Sequence, residues 1–452
     1  MLTTINKRYK YFFLIYDITL IVVTIFLAPF IRLNDFFNDY ITFNQPQLYL
    51  IVFIYIFIFY VFDLYAIKIY KTKWSFIANY TYAFAFIGFS IAAFFYLFSN
   101  LKYGRGIWII QIGLAYIILA LGRIGVINYI NRRVPKKRIL ILGNSIGEHI
   151  IAEELDDAYC DFLGYLGEKK PHSHYKHLGS FKIIDDIINK LNPDAIVIAD
   201  RRIIKGDVER SILMSKMRGI YIYDMPAIIE ALKGKVPVHH IDDYWVIYNS
   251  FAGLHANQYN IRFKRFMDIV ISLVGLILSS PILAVAVIVI KFESKGPVFY
   301  RQIRMGLNEH PFEIIKFRSM HHEAEGNGAV WAAKNDSRIT RVGKIIRKLR
   351  VDELPQLINV LKGEMTVVGP RPERPEFVEM LKEKIPYYSL RHLIRPGLTG
   401  WAQINYPYGA SINDTRHKLE YDLYYMRHLT LKMDIAIILK TIKIILFGQG
   451  AR

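Results

Sequence analysis

Four long apolar segments in the first third of the chain constrain its fold more than any other feature does. They lie at approximately residues 11–31, 48–67, 77–98 and 107–130. Each is close to the roughly 20 residues that a helix needs to cross about 30 Å of hydrocarbon. A helix buried in a soluble domain would carry a polar face, and the stretch LYLIVFIYIFIFY that begins at Leu48 has none. The pattern therefore predicts a four-helix transmembrane bundle over residues 1–135.

Basic residues flank the predicted bundle on one side of the membrane. They precede the first segment at Lys7 and Arg8 and follow the fourth at Arg132. The loop predicted at 33–47, on the opposite side, contains neither lysine nor arginine. Lysine and arginine collect on the cytoplasmic side of membrane proteins. Both ends of the bundle are therefore predicted in the cytoplasm, and everything after about residue 131 at its cytoplasmic face.

The charge of the chain indicates an anionic partner. It has 58 Lys and Arg against 39 Asp and Glu, a net charge of +19. A protein this basic attracts nucleic acid, anionic lipid or a phosphorylated substrate. Because the chain is also rich in apolar segments, we predict lipid and a phosphorylated substrate as partners, and no nucleic acid. The single cysteine, Cys160, excludes an internal disulfide framework and any multi-cysteine metal site.

The middle of the chain, residues 136–255, has the pattern of a small α/β domain. Its strand-like runs, separated by helical stretches near 183–191 and 208–217, lie at 138–142, 195–199 and 220–223. Such alternation predicts a parallel, Rossmann-like sheet. Gly143 and Gly147 follow the first run with the spacing G-x-x-x-G, which is not the full dinucleotide-binding fingerprint. We therefore predict a structural, regulatory or dimerising domain rather than a nucleotide site.

A fifth apolar segment, within a helix predicted at 264–291, is also long enough to span a bilayer. Ser280 and Pro281 interrupt it, and proline removes a backbone hydrogen bond and kinks a helix. Both flanks are basic, with Lys264 before the segment and Lys291 after it. A straight span would place one basic flank outside, against the positive-inside rule. The pattern predicts a re-entrant helix that enters and leaves on the cytoplasmic face; a kinked ordinary span is the alternative.

The C-terminal region, predicted as a third domain over 256–452, combines arginine clusters with an acidic pair. Asp352 and Glu353 stand before Pro355, which fits the first turn of a helix. The basic residues around them in sequence are Arg301, Lys316, Arg318, Arg347 and Arg371. Arginine binds phosphate oxygens in a bidentate manner, so the combination suggests a site for a metal-bound pyrophosphate. An isolated acidic pair would instead predict a helix cap on a solvated surface.

The order and spacing of short motifs between about residues 262 and 445 resemble the bacterial sugar transferase family, the monotopic phosphoglycosyl transferases. The matching motifs, in chain order, are Lys264-Arg265 with Asp268, Ser280-Pro281, Gly296-Pro297-Val298, Arg301-Gln302, Lys316-Phe317-Arg318-Ser319-Met320, Asp352-Glu353-Leu354-Pro355-Gln356, Gly363-Glu364-Met365, Pro370-Arg371-Pro372, and Arg395-Pro396-Gly397 through Gly400-Trp401. With the bundle and the α/β domain before it, the chain resembles the long form of this family, the polyprenyl-phosphate hexose-1-phosphate transferases.

The resemblance implies a fold, a reaction and a location. The fold is a membrane protein with a four-helix transmembrane bundle, a Rossmann-like α/β domain and a mostly α catalytic domain that carries a re-entrant membrane helix. The reaction moves a sugar 1-phosphate from a UDP-sugar to polyprenyl (undecaprenyl) phosphate and releases UMP, as the first membrane step of surface glycan synthesis. The location is the bacterial inner (cytoplasmic) membrane, with the catalytic domain on the cytoplasmic face. A homodimer is implied as well.

The resemblance also implies roles for individual residues. Asp352 matches the nucleophile that forms a covalent phosphosugar intermediate, and Glu353 matches the residue that coordinates Mg²⁺. Phosphate or substrate binding is implied for the matching basic and polar residues Arg347, Arg371, Lys316, Arg318, Arg301 and Gln356. Ser280 and Pro281 match the break of the re-entrant helix.

Two other functions fit part of the pattern. A membrane-bound nucleotide-sugar dehydratase or epimerase can share four spans and a Rossmann-like domain, but it needs a complete glycine fingerprint and a catalytic Tyr-x-x-x-Lys. After Gly143 that motif occurs only at Tyr165 and Lys169, which is the wrong place for it. A non-catalytic membrane scaffold would use the basic surface to bind anionic lipid. Glucose, galactose and N-acetylated hexoses all stay open as the transferred sugar.

Overall fold

The computed structural model of the chain describes residues 2–33, 46–62, 64–65, 73–97, 105–133, 136–143, 160–167, 176–199, 204–249, 251, 258–321, 338–407, 409 and 411–446. The chain divides into two compact units. One comprises Met1–Ile141, Ala152–Ile196 and Asp207–Tyr221, and the other comprises Leu142–Ile151, Val197–Gly206 and Ile222–Arg452.

Four apolar helices form the N-terminal part of the first unit. They are α1 (Leu2–Leu33), α2 (Pro46–Val61), α3 (Lys73–Leu97) and α4 (Arg105–Arg133). Helices α1, α3 and α4 contain candidate membrane spans of 21, 20 and 21 residues. The second segment is shorter than predicted, because α2 has 16 residues and ends at Val61. At 1.5 Å per residue it extends over about 24 Å, less than the hydrocarbon thickness.

A buried ion pair contacts the turn that follows α2. Arg123 of α4 pairs with Asp17 of α1, and neither side chain is exposed. Arg123 Nη1 also donates to the carbonyl of Leu64, 2.8 Å away, in the turn that follows α2. The guanidinium lies over the ring of Phe59, 5.0 Å from its centroid. A charge among apolar helices is costly unless it is paired, so these contacts hold α1, α4 and the end of α2 together.

A five-stranded sheet follows the bundle, with helices α5 (Ile184–Leu191) and α6 (Asp207–Met217). The strands, in the spatial order β3-β2-β1-β4-β5, are β1 (Lys137–Leu142), β2 (Cys160–Leu166), β3 (His177–Gly179), β4 (Ala195–Ile198) and β5 (Tyr221–Asp224). Strands β2 and β3 pair in parallel. The three predicted strands and both predicted helices are confirmed. The sequence analysis missed β2, which a glycine interrupts, and β3, which has only three residues.

The glycine turn after β1 is only partly described. Gly143 has a φ of 131°, a conformation that favours glycine. Gly147 lies outside the described residues. The prediction that this turn is structural rather than nucleotide-binding therefore stays a prediction.

The second unit is mostly helical, with two small sheets. Its helices are α7 (Met225–Lys233), α8 (Asp243–Tyr248), α9 (Gln258–Glu293), α10 (Arg341–Lys348), α11 (Gln356–Lys362), α12 (Pro375–Lys384), α13 (Trp401–Asn405), α14 (Ile412–Arg427) and α15 (Leu431–Leu446). Its strands are β6 (Phe299–Met305), β7 (Pro311–Phe317), β8 (Thr366–Val368) and β9 (Gly397–Thr399). Strands β6 and β7 form an antiparallel hairpin, and β8 and β9 are parallel.

The segment after β5 is part of the core of this second unit. Val236, Val238 and Trp245 are buried in the same apolar cluster as Leu423 of α14. The backbone N–H of Val236 donates to the carbonyl of Glu420, 2.9 Å away. The C-terminal body thus includes residues well before the domain boundary predicted between 255 and 256, which itself lies outside the described residues.

Candidate active site

The acidic pair lies in a tight turn between two helices. Helix α10 ends at Lys348, and a single 3-10 turn, Val351–Glu353, follows it. Arg350 begins this turn in the left-handed conformation, with a φ of 58°. Pro355 is the N-cap of α11 rather than a residue of its first turn. Asp352 and Glu353 are both buried, so the helix-cap interpretation on a solvated surface does not describe them.

Three cations surround the carboxylate of Glu353. Arg371 Nη2 donates to Glu353 Oε1 over 2.6 Å. Lys316 Nζ lies 3.7 Å from the same oxygen, and Arg350 Nη1 lies 3.5 Å from Oε2. Burial alone would raise the pKa of Glu353, but the charges of Arg371, Lys316 and Arg350 hold this pKa well below its usual range. Glu353 is therefore an anion throughout the physiological pH range.

Asp352 has a different environment from its neighbour. Burial, reinforced by the negative charge of Glu353, raises the pKa of Asp352 to about 6, although Lys316, Arg347 and Arg350 act in the opposite direction. Its Oδ1 atom is buried and makes no hydrogen bond with any part of the chain that the structure describes. Such an ionised but unsatisfied oxygen can attack an electrophile once a substrate is bound.

The β6–β7 hairpin supplies Lys316 to the site, and a buried amide joins it to α11. Asn359 is fully buried on α11. Its Oδ1 accepts from the backbone N–H of Ile315 over 3.0 Å, and its Nδ2 donates to the carbonyl of Glu313 over 2.7 Å. These bonds fix β7 against the helix that follows the acidic pair. The sequence analysis missed Asn359; its only signal was a polar residue on the apolar face of a short helix.

Several predicted residues surround the acidic pair, and two others have partners elsewhere. Arg347 of α10 has a buried Nη1 atom that makes no hydrogen bond within the described residues. Gln356 is buried at the start of α11, shortly after the pair. Arg301 pairs with Glu313 on an exposed face of the hairpin. Arg318 is buried, and its Nη2 donates to the carbonyl of Ser294 over 2.7 Å, just past the end of α9.

The first half of helix α9 is anchored to other elements of the second unit. Asp268 accepts hydrogen bonds from Thr366 Oγ1 over 2.6 Å and from the backbone N–H of Val367 over 3.0 Å. Lys264 Nζ donates to Asp434 Oδ2 over 2.7 Å. Arg265 donates to the carbonyls of residues 360 and 361 at the C-terminal end of α11, where the last carbonyls of a helix lack their usual i+4 donors. The Lys-Arg motif thus fixes both α15 and the helix that follows the acidic pair.

The second half of α9 packs against β7 and α10 of the same unit. Ala286 and Ile290 share a small buried cluster with Phe317 of β7 and Ile346 of α10. Between the two anchored halves, large apolar side chains stand exposed, such as Ile277 at 69% and Leu278 at 73%. Helix α9 therefore contacts the rest of the second unit at both ends and exposes an apolar stretch between them.

The serine beside Pro281 compensates for the hydrogen bond that proline removes. Pro281 has no N–H, so the carbonyl of Ile277, four residues earlier, loses its normal helical donor. Ser280 Oγ donates to that same carbonyl over 2.8 Å. The Ser-Pro pair therefore weakens the helix at a defined point without leaving a polar group unsatisfied in an apolar environment.

Comparisons with known proteins match the C-terminal half most strongly. The family model described as bacterial sugar transferase matches residues 259–448. The chain is 43% identical, over 64% of its length and 67% of the relative's, to an Aeromonas hydrophila UDP-N-acetylgalactosamine-undecaprenyl-phosphate N-acetylgalactosaminephosphotransferase. It is 40% identical, over 42% of its length and 71% of the relative's, to a Caulobacter vibrioides UDP-glucose:undecaprenyl-phosphate glucose-1-phosphate transferase. It is 44% identical to a Klebsiella pneumoniae protein of that same description, over 41% of its length and 40% of the relative's.

Proposed function

The chain belongs to the bacterial sugar transferase family, and from that membership we propose that it transfers a sugar 1-phosphate from a UDP-sugar to undecaprenyl phosphate. The products are UMP and a polyprenyl-diphosphate sugar, which would begin the synthesis of a surface glycan. The observation that carries the proposal is the buried pair of Asp352 and Glu353 with Arg371 and Lys316 against it. Similar chemistry is stated in the names of the three relatives.

We propose two steps with one covalent intermediate. A carboxylate oxygen of Asp352 attacks the β-phosphorus of the UDP-sugar, the bond from that phosphorus to the bridging oxygen breaks, and UMP leaves with the electron pair. A phosphate oxygen of the lipid then attacks the same phosphorus, the bond to Asp352 breaks, and the carboxylate is regenerated. Splitting one displacement into two means that the two anionic substrates need not be held at the phosphorus together.

The cations around the pair make attack by an anion on an anion feasible. A phosphoryl group carries its charge on the non-bridging oxygens, and arginine forks and lysine stabilise that charge where it develops. Arg371 Nη2 lies 2.6 Å from Glu353 Oε1. Burial raises the pKa of Asp352, and the charge of Arg347 opposes that rise. Arg347 and Arg371 are therefore proposed to bind the diphosphate, with Lys316 and Gln356 beside it.

The residues of the site fit a magnesium ion that arrives with the substrate. In the described residues no group of three or more His, Cys, Asp or Glu side chains could hold a metal. Mg²⁺ in phosphoryl-transfer sites is bound by one or two carboxylates together with substrate phosphates. Glu353, buried and ionised at neutral pH, would supply a carboxylate oxygen, and the substrate phosphates would supply the others. Bound there, Mg²⁺ would neutralise charge on the diphosphate.

The proposed function requires a site at the membrane surface, because one substrate is a lipid. We propose that α9 is re-entrant and lies in the inner membrane of a bacterium, with the second unit in the cytoplasm. A straight helix of 36 residues would be about 54 Å long, which exceeds the hydrocarbon thickness. The contacts of Asp268 and Ile290 with the same soluble body support entry and exit on one face. A Rossmann-like domain and a homodimer are proposed as well, from the family's long form.

The test of the function is release of UMP in the presence of Mg²⁺. Purified protein in nanodiscs with undecaprenyl phosphate would be offered UDP-N-acetylgalactosamine, UDP-glucose and UDP-galactose, and UMP would be measured for each. We expect rapid, lipid-dependent turnover with at least one of them. A dehydratase or epimerase would instead alter the sugar without forming UMP, and a scaffold would leave every UDP-sugar unchanged.

Cysteine labelling tests the re-entrant helix. In a Cys160→Ser background, single cysteines replacing Arg262 and Lys295 should both be protected from a membrane-impermeant maleimide added to intact cells. Both positions are exposed on the protein surface and should react once the membrane is permeabilised. A cysteine at Asn38, in the loop predicted outside, is the positive control. Labelling at position 295 but not at 262 in intact cells would show an ordinary span.

The pH profile of UMP release should be bell-shaped. Asp352 must be ionised to attack, and its pKa is raised to about 6, so activity should fall about tenfold for each pH unit below that value. Burial, against the opposing charge of Glu353, lowers the pKa of Lys316 to about 8, so a cation disappears as the pH rises above it. In Lys316→Arg the alkaline limb should vanish, because guanidinium stays charged. Activity that is constant down to about pH 4.5 would remove Asp352 as the nucleophile.

A further inference from the structure

The Pro-Arg-Pro segment is held by its backbone carbonyls. The carbonyl of Pro370 accepts from the N–H of Gly397 over 2.8 Å. The carbonyl of Arg371 accepts from Arg391 Nη2 over 2.9 Å, and the carbonyl of Pro372 accepts from Arg304 Nη1 over 3.2 Å. Two of the three donors are therefore guanidinium groups of residues remote in sequence. The two prolines already restrict this backbone, so the segment presents the Arg371 side chain from a rigid base.

Arg391 is fixed in a buried polar cluster of its own. Its Nη1 donates to Tyr388 Oη over 2.7 Å, and its Nη2 lies 2.9 Å from Asp422 Oδ2. The Arg391 and Asp422 side chains are 5% and 2% exposed. Burial raises the pKa of Asp422 to about 6 even beside this arginine.

A contribution to stability does not by itself explain why this position has a buried ion pair. Replacing a buried ion pair by apolar residues of similar volume is often neutral or stabilising, because desolvation offsets the attraction between the charges. What apolar residues cannot do is donate a directed hydrogen bond to the carbonyl of Arg371. This bond joins the Tyr388–Arg391–Asp422 cluster to the segment that carries Arg371.

We propose that Arg391, held by Asp422 and Tyr388, is a positioning residue for Arg371. It fixes the backbone from which the Arg371 guanidinium reaches Glu353 and, under the proposed function, the diphosphate of the substrate. The inference rests on that proposed function for its kinetic consequence. Misplacing a binding group by about 1 Å can cost on the order of a hundredfold in rate, so a backbone clamp of this kind has a measurable effect without touching the substrate.

The test replaces the whole cluster by apolar residues. The variant Tyr388→Phe/Arg391→Met/Asp422→Leu should fold with a melting temperature near that of the wild type, because no buried charge is left unpaired. Its kcat/KM for UMP release should nevertheless fall about tenfold to a hundredfold. The matched control is Lys235→Met/Glu420→Leu, which removes another ion pair of α14, 2.9 Å long, that does not contact the Pro-Arg-Pro segment; it should keep wild-type kcat/KM. A stable cluster variant with wild-type kcat/KM would overturn the proposal.

Two further measurements keep the proposal testable if the triple variant does not fold. Arg391→Lys can offer one ammonium group in place of the fork, so it should also lose activity. In an Arg371→Ala background, Arg391→Lys should lower kcat/KM by less than about twofold, because a residue that acts through Arg371 has no effect once Arg371 is gone. Equal losses in both backgrounds would show that Arg391 acts on the fold in general.

Hydrogen exchange separates this proposal from the proposed function. Peptides covering residues 366–374 should exchange faster in Arg391→Lys than in the Lys235→Met/Glu420→Leu control, whether or not any UDP-sugar is turned over. Unchanged exchange there would refute the clamp even in an active enzyme. Failure of the wild-type protein to release UMP, with faster exchange in the variant, would refute the function and leave the clamp.

Discussion

Asp352→Asn should abolish both turnover and the release of UMP that occurs without a lipid acceptor. With wild-type protein, Mg²⁺ and the correct UDP-sugar alone, UMP should appear up to about one equivalent per active site, since the covalent intermediate accumulates when nothing removes it. A neutral amide is a poor nucleophile and cannot form an acyl phosphate. Asp352 has the buried, unsatisfied oxygen that this step needs. Quenched-flow measurement of UMP, with mass spectrometry of the trapped protein, would follow both events.

A matched control and a competing mechanism make this prediction decisive. Glu383→Gln changes an exposed acid on α12 and should leave the burst unchanged. In wild-type protein, the peptide containing Asp352 should gain the mass of a hexose phosphate. If the lipid phosphate attacked the UDP-sugar directly, Asp352 would serve as a metal ligand or base, and folded enzyme would show no burst without acceptor. That result would reject the covalent mechanism while keeping the overall reaction.

Glu353→Gln should lower the rate of UMP release by about two orders of magnitude, the size of effect seen when one electrostatic group of an active site is removed. The carboxylate faces Arg371, Lys316 and Arg350, and the amide would leave these cations without their anion. Loss of an anionic oxygen should also raise the Mg²⁺ concentration needed for half-maximal rate. A titration of rate against Mg²⁺ in both proteins would measure the shift.

The same variant makes a second prediction with a defined sign. The negative charge of Glu353 is one of the causes that raise the pKa of Asp352. Removing this charge should lower that pKa, so the acid limb of the residual activity should move below about pH 6 in Glu353→Gln. An acid limb that stays in place, together with an unchanged Mg²⁺ titration, would take Glu353 out of the metal site and out of contact with Asp352.

Most of the membrane helices were predictable because they depend on local sequence. The long apolar segments require no partner to be recognised, since the bilayer sets their length. The one that differed, α2, ends at Val61, and Arg123, about 60 residues away in sequence, binds the carbonyl of Leu64 just past that end. A contact of that kind leaves no trace in a hydropathy pattern.

The roles of individual residues were harder to predict from the sequence than the types of residue in the site. Arg301, Arg318 and Arg371 have the same side chain, and the resemblance implied phosphate or substrate binding for all three. The structure separates them: Arg318 bonds to Ser294 beyond the end of α9, Arg301 pairs with an exposed glutamate, and Arg371 binds Glu353. Side chains alternate between the two faces of the hairpin, so Lys316 and Arg301 lie on opposite faces of the β6–β7 ladder. This accounts for part of the difference between the basic residues.

The sequence by itself determined the membrane segments and the α/β pattern in the middle, since both follow from composition and periodicity, and its short motifs carried the resemblance to the family that singled out the acidic pair. Only the tertiary structure decided which cations face Glu353, that Asn359 joins Lys316's strand to α11, and that Arg391 holds the backbone of Arg371. Those relations join residues far apart in the chain. They arise because buried polar groups must find partners in three dimensions, and no local pattern specifies which partner that will be.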